Sequence, residues 1–373
     1  VKKGLNGNMQ SIWSRKGLLR LLAFLFFCFI MQYFAYSGEE TNTFYLVISY
    51  INFGIAVFFW GSFVTVILTA AISALIQKLY GCELIYLKIF GTLFIKEDGK
   101  LKRRKAVAIE LAEPVYMMPP ENISPKLWLC GFVYVSIALT AIYAILAVLL
   151  PKSFWITGVL IILAAKEFFF LISIPKLPGN PFNIIKQLKD DEKARRLFIN
   201  SHRIYGLHLS GTNMWDMPYE WFELPTEEEF AAKPLVYSGI TALAYSRLMD
   251  EGRFLEARQL AEMNYNIKTA LELTDYLKYA VRADFLFCVI MDGCDRELIA
   301  RICGDDLIEH LKSKDGILVY SRLLYAYKLL VNKNTTKAAE RFADFEKLSK
   351  SCPVKTITDS EQRIIKHIHE KIL

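Results

Sequence analysis

Residues 1–175 of this 373-residue chain contain no histidine; His202, His208, His310, His367 and His369 all lie beyond them. That absence takes imidazole, the usual nitrogen ligand for zinc and the side-chain base poised near neutral pH, out of the first half. Cysteine does not fill the gap. Cys28, Cys82, Cys130, Cys288, Cys294, Cys303 and Cys352 are scattered without a CxxC pair. Their odd number, in a chain whose bulk should face the cytoplasm, argues for reduced thiols over a disulfide framework. Cys288, Cys294 and Cys303 come closest to a group, but their spacing fits no zinc module, and they read as buried helix residues. The net charge of +7 has no Arg-rich stripe with interleaved aromatics, so a nucleic-acid partner is not expected.

Apolar residues are what the chain has in excess. They make up 54% of it, with a mean hydropathy of +0.27, and they concentrate in the first half. A membrane domain followed by a soluble one is the organisation this implies. Four spans give the simplest account, at about 17–36, 45–80, 127–150 and 154–174. The second stretch exceeds the roughly 20 residues one crossing needs, so it reads either as one long tilted helix or as a re-entrant segment leading into a helix. Basic residues precede the first run and no small-residue cleavage site follows it, so it reads as a retained signal anchor.

Lys and Arg set the direction. The N-terminal segment carries Lys2, Lys3, Arg15 and Lys16, whereas Ser37–Phe44 has none and holds Glu39 and Glu40. The segment after the second run has Lys88, Lys96, Lys100, Lys102, Arg103, Arg104 and Lys105; the loop between the third and fourth has only Lys152. By the positive-inside rule both termini face the cytoplasm, which an even number of spans allows. Glu83–Phe94 and Lys102–Glu113 read as strands of a cytoplasmic β-hairpin turning at Glu97-Asp98-Gly99-Lys100. The Lys102–Lys105 run fits either contact with anionic headgroups or a charged edge strand that discourages pairing.

The second apolar run ends Thr69-Ala70-Ala71-Ile72-Ser73, followed eight residues later by Gly81 and then by Glu83-Leu84-Ile85-Tyr86-Leu87. With the order span, span, β-hairpin, span, span and soluble domain, this resembles the site-2 protease family of intramembrane zinc metalloproteases. In that family a helix ends in HExxH, then a glycine, then a β segment. Thr69 and Ser73 stand where the resemblance places the two histidines, and Ala70 where it places the glutamate. The family's aspartate ligand follows a proline near the end of its last helix; here that stretch is Ile174-Pro175-Lys176-Leu177-Pro178-Gly179-Asn180, with Asn180 at the aspartate position. Zinc hydrolysis needs two imidazoles one helical turn apart and a carboxylate to take the proton of the bound water. Neutral hydroxyls, a methyl group and an amide do not supply these, so neither a metal nor a catalytic residue is expected at Thr69, Ala70, Ser73 and Asn180.

Lys166-Glu167 interrupts the fourth run, and intramembrane charge is costly enough to demand a partner or a cavity. The pair reads either as a gating or substrate-contacting element of a cleft, or as a snorkelling lysine beside a glutamate that meets a loop cation. Leu209–Pro225, with Asp216-Met217-Pro218 and Trp221-Phe222, resembles the junction that joins such membrane domains to helical repeats. Beyond it, helical pairs are expected over Tyr237–Met263, Leu271–Cys303 and Ile317–Leu348, turning near Gly252, at Asp292-Gly293 and at Asn332–Thr335. Gly252-Arg253-Phe254-Leu255-Glu256-Ala257 is similar to the turn and second helix of a tetratricopeptide repeat. Thr358–Ile372 reads as a capping helix. His367 and His369, two apart on it, face different ways and cannot share a metal.

The expectation is therefore a mainly α, polytopic membrane protein in three parts. Residues 1–180 form a four-span site-2-protease-like bundle with a β-hairpin at 83–113, 181–233 a linker and junction, and 234–373 a soluble helical-hairpin repeat domain. It would sit in the bacterial inner (plasma) membrane without cofactor, scaffolding a membrane-spanning peptide or protein, with a cytoplasmic partner on the repeats. Two other readings stay open: an active protease with displaced ligands, and a transporter subunit or receptor unrelated to proteases.

Overall fold

The computed structural model describes residues 54, 68–89, 92–97, 99–107, 109, 111, 115–149, 154–173, 180–269 and 275–372. The fold is mostly helical with one small antiparallel sheet. The expected first span, 17–36, and most of the second lie outside the described residues.

The chain divides into two compact units: residues 1–81, 89–91 and 126–182 form one, and 82–88, 92–125 and 183–373 the other. In the first, helix α1 runs over Leu68–Leu79, α2 over Pro125–Leu149 and α3 over Phe154–Ser173. Among the described residues one stretch, Trp128–Leu149, is long and apolar enough to cross a membrane. It shows broad apolar exposure, with Tyr134, Ile137, Ile142, Ile145, Val148 and Leu149 all open on its surface.

The second unit begins with a four-stranded sheet: β1 (Glu83–Ile89), β2 (Thr92–Glu97), β3 (Lys100–Lys105) and β4 (Val115–Met118), in the order β3-β2-β1-β4. This corrects the two-strand expectation. The apolar run 83–94 is divided between two neighbouring strands, β1 ending at Ile89 and β2 starting at Thr92. The second expected strand ends at Lys105 instead of Glu113, and Val115–Met118 adds an edge strand. Glu97 pairs with Lys100, the innermost pair of the β2–β3 hairpin. Along β2 the period of two is clear: Leu93 and Ile95 are fully buried while their neighbours are half-buried. β3 is an edge strand and almost wholly exposed, with Glu97 holding Lys102 and Arg104.

The segment 181–233, read from sequence as a linker, carries α4 (Pro181–Leu188) and the 19-residue α5 (Glu192–Ser210), then a short α6 (Glu227–Ala232). Asp191 caps α5 by accepting from Ala194 N at 2.8 Å. α5 lies on β2 and β4. Gly206 makes that approach possible, since a Cβ there would fall 2.8 Å from the Met118 side chain. Tyr116 on β4 donates its hydroxyl to the His202 carbonyl at 2.8 Å and stacks on Tyr86. Ile85, Tyr86, Leu93, Ile95, Leu111 and Tyr116 share one core with Leu209 and Val354.

Helices α7 (Pro234–Asp250), α8 (Phe254–Thr269), α9 (Asp275–Met291), α10 (Arg296–Ile302), α11 (Asp305–Ser313), α12 (Leu318–Ala326), α13 (Thr335–Ser351) and α14 (Lys355–Glu370) follow. α7 packs on α8, α8 on α9 and α12 on α13. α12 continues as a π-helical turn, Tyr327–Val331. Of the three clustered cysteines only Cys288 is a buried helix residue; Cys294 and Cys303 are half-buried in the turns on either side of α10. The turn after Gly293 needs a second left-handed residue, and Cys294 supplies it at φ 58°.

Candidate functional site

Two places carry the side chains that the sequence singles out. The first is the polar stripe of α1. Thr69, Ser73 and Gln77 recur every four residues, which puts them on one helical face. That face meets the start of α2, where Gln77 Nε2 lies 3.5 Å from the Trp128 carbonyl. Thr69 and Ala70 are half-buried, and Ser73 is buried with its hydroxyl lacking a hydrogen-bond partner among the described residues. Asn180, in the same unit, is buried and engaged. On α3 Glu167 is only 3% exposed and likewise engaged, while Lys166 lies in the helix with its side chain outside the description.

The stripe therefore offers two hydroxyls and an amide, flanked by the methyl group of Ala70. Such groups position and hydrogen-bond a neighbouring backbone; they are weak, neutral donors to zinc and Ala70 takes no proton. Among the described residues no three His, Cys, Asp or Glu side chains converge.

The second place is the face that the helical array presents to α14. The first helices of the successive pairs lie side by side. Tyr245 on α7 reaches the Asp284 carbonyl on α9, Met249 meets Cys288 at 3.8 Å, and Arg322 on α12 stacks on Phe287 of α9 at 4.2 Å. Against this face lies α14. Read from the sequence as a terminal capping helix, it packs on α5, α7 and α12. Its buried stripe is Thr356, Glu361, Ile364, Ile365 and Ile368.

Polar contacts hold the seam. Thr356 donates its hydroxyl to the His208 carbonyl of α5, and Ser360 to Asp250 at the end of α7 through a very short contact. Arg322 Nη1 meets Glu361 Oε1 at 2.7 Å with both side chains under 10% exposed. Burial pushes Asp250 up to about 6, against the Ser360 hydrogen bond that favours its charged form. Glu361 is raised by the same cause, opposed by Arg322. His208 is pushed down to about 4 because its ring has little water to charge against. Gly252, at φ 73°, leaves room for His367: a Cβ there would sit 3.0 Å from the imidazole, which also stacks edge-on to Phe254. His369 turns the other way, 2.8 Å from the Tyr325 hydroxyl. The two histidines do not meet.

The aromatic segment 214–222 clamps arginines from three helices. Tyr219 and Phe222 enclose Arg247 of α7, each ring 4.7 Å away, and Arg247 donates to the Met217 carbonyl at 3.0 Å. Trp221 lies on Arg203 of α5, and Trp215 on Arg363 of α14 at 4.3 Å.

Asp250, Arg322 and Glu361 escaped the sequence reading. Their signal is a charge inside an apolar stripe: Arg322 stands in Leu318–Leu330, and Glu361 keeps helical register with Ile364, Ile365 and Ile368. A charge on the buried face of a helix requires a partner, and that rule could have found the pair. Comparison with protein-family models, curated proteins and solved structures finds no match for this chain.

Proposed function

We propose that this chain is a non-catalytic membrane protein with the layout of a site-2 protease, one that holds a membrane-spanning peptide or protein without cutting it. Four spans place both termini in the cytoplasm of a bacterial cell. The helical array recruits a cytoplasmic partner. The observation that carries this reading is the content of α1: Thr69, Ala70 and Ser73 occupy the positions at which the resemblance requires ligands and base. The described apolar helix at 128–149 and the basic residues gathered between it and α1 support the orientation.

Single cysteines placed at residues 40, 100, 152 and 360 of the chain in intact cells test the layout. Labelling by an impermeant maleimide from outside is expected at 40 and 152 only. Metal analysis of the purified protein is expected to give well under one zinc per chain. Crosslinking in the membrane is expected to trap a partner that keeps its full length. A stoichiometric zinc removed by chelator together with loss of peptide cleavage would return the chain to the active proteases. Outside labelling at 100 or 360 would make it a different kind of membrane protein, a transporter subunit or receptor.

A further inference from the structure

The seating of α14 shows what the helical array is shaped to hold. An ordinary last helix of a hairpin array packs on the one before it, extending the stack. α14 touches α13 through Gln362 with Ser349 and His369 with Phe342, but it packs mainly across α5, α7 and α12, the last two being the first helices of the first and third pairs. It presents Glu361, Ile364, Ile365 and Ile368, the i, i+3, i+4, i+7 pattern by which an amphipathic helix enters a groove. Arg322 waits at the end of that stripe, braced over Phe287, and takes the carboxylate.

The seam is also poorly satisfied for a permanent core. His208 Nδ1, Asp250 Oδ2, Arg322 Nε and Glu361 Oε2 are all buried there and have no hydrogen-bond partner among the described residues. Buried polar groups are nearly always paired in settled interiors, and a buried ion pair with unused donors and acceptors contributes little net stability. The first turn of α14 differs: Val354 lies in the sheet core and Ile357 packs against it. That end is an anchor, and the amphipathic remainder, with its under-satisfied polar groups, is the part able to leave.

We infer that the face formed by α7 and α12 is a binding groove for an acidic amphipathic helix, closed in this chain by its own α14. The partner is a helix with a carboxylate one turn ahead of three aliphatic residues, and it competes with α14 for Arg322. This rests on the reading of the array as a partner-binding surface and names the partner's chemistry and its gate.

The test uses the full-length chain in detergent and a fluorescent peptide of residues 355–371. Glu361→Lys sets a cation against Arg322 and unseats α14 while leaving the groove intact. It is expected to bind the peptide at least tenfold more tightly than the native chain, and adding Arg322→Met is expected to remove that gain. In the native chain, hydrogen exchange of α14 amides beyond residue 358 is expected to run at least tenfold faster than that of α7 and α12. Equal peptide binding by the two chains overturns the inference, as does α14 exchanging in step with α7 and α12. So does a Glu361→Lys chain that loses the helicity of the whole array, since α14 is then inseparable core. None of these readings depends on the membrane partner, whose capture by crosslinking is judged separately.

Discussion

Asp250 shows how one side chain ties the seam to pH. It is fully buried, one oxygen taken by Ser360, and Glu361, Arg322 and Arg363 are the charges that act on it. In the unfolded chain its ordinary value is 3.8; folded, it is about 6. A raised carboxyl contributes stability in full below 3.8, and that contribution is lost as pH rises through 6. Asp250→Asn keeps an oxygen for Ser360 and removes the ionisation. Denaturant melts are expected to show the variant gaining on the native chain between pH 4 and pH 7, by on the order of 2 kcal/mol at the upper end. A difference that stays constant across that range would mean Asp250 does not charge in the fold. The motif residues are a contrast at the same scale. Thr69, Ala70 and Ser73 are singled out only by their register before Gly81, whereas Arg322 and Glu361 each show as a charge in an apolar stripe but their pairing joins positions 39 residues apart.

At the scale of elements, the junction of α5 with the sheet turns on a missing side chain. Gly206 faces Met118 so closely that a methyl group would lie 2.8 Å from its Cγ and Sδ and 2.9 Å from its Cβ. Methionine bends, but its Cβ is fixed by the strand. Gly206→Ala is therefore expected to cost about 1–3 kcal/mol, read as a lower denaturation midpoint with an unchanged slope. Helix breaks were the most legible elements, because Gly252, Asp292-Gly293 and Asn332–Thr335 each punctuate an apolar pattern. The sheet was half legible. Its hairpin at 98–99 has a turn signature, but β4 is four residues long and pairs with β1 across a bulge between Leu84 and Tyr86. A strand that short leaves almost no periodicity to read.

For the whole molecule, the chain passes from the first unit to the second, returns near residue 126 and leaves again near 182. The second unit is thus discontinuous in sequence, which no composition shift reveals. Leu209 and Val354 owe their burial partly to Ile85, Tyr86, Leu93 and Ile95, which come from 110 or more residues earlier. A fragment of residues 183–373 alone should expose that apolar face. Size-exclusion profiles and bis-ANS fluorescence are expected to show it self-associating, and fusing residues 82–125 to it through a flexible linker is expected to restore a monodisperse species. Equal behaviour of the two fragments would mean the sheet contributes nothing to that core.

The indole of Trp215 resting on the Arg363 guanidinium has an optical consequence. A cation over an indole shifts the energy of its excited state, and Arg363 rides on α14. Were that helix to leave its seat as inferred, the indole would trade a fixed charge for moving water, and its emission would report the motion.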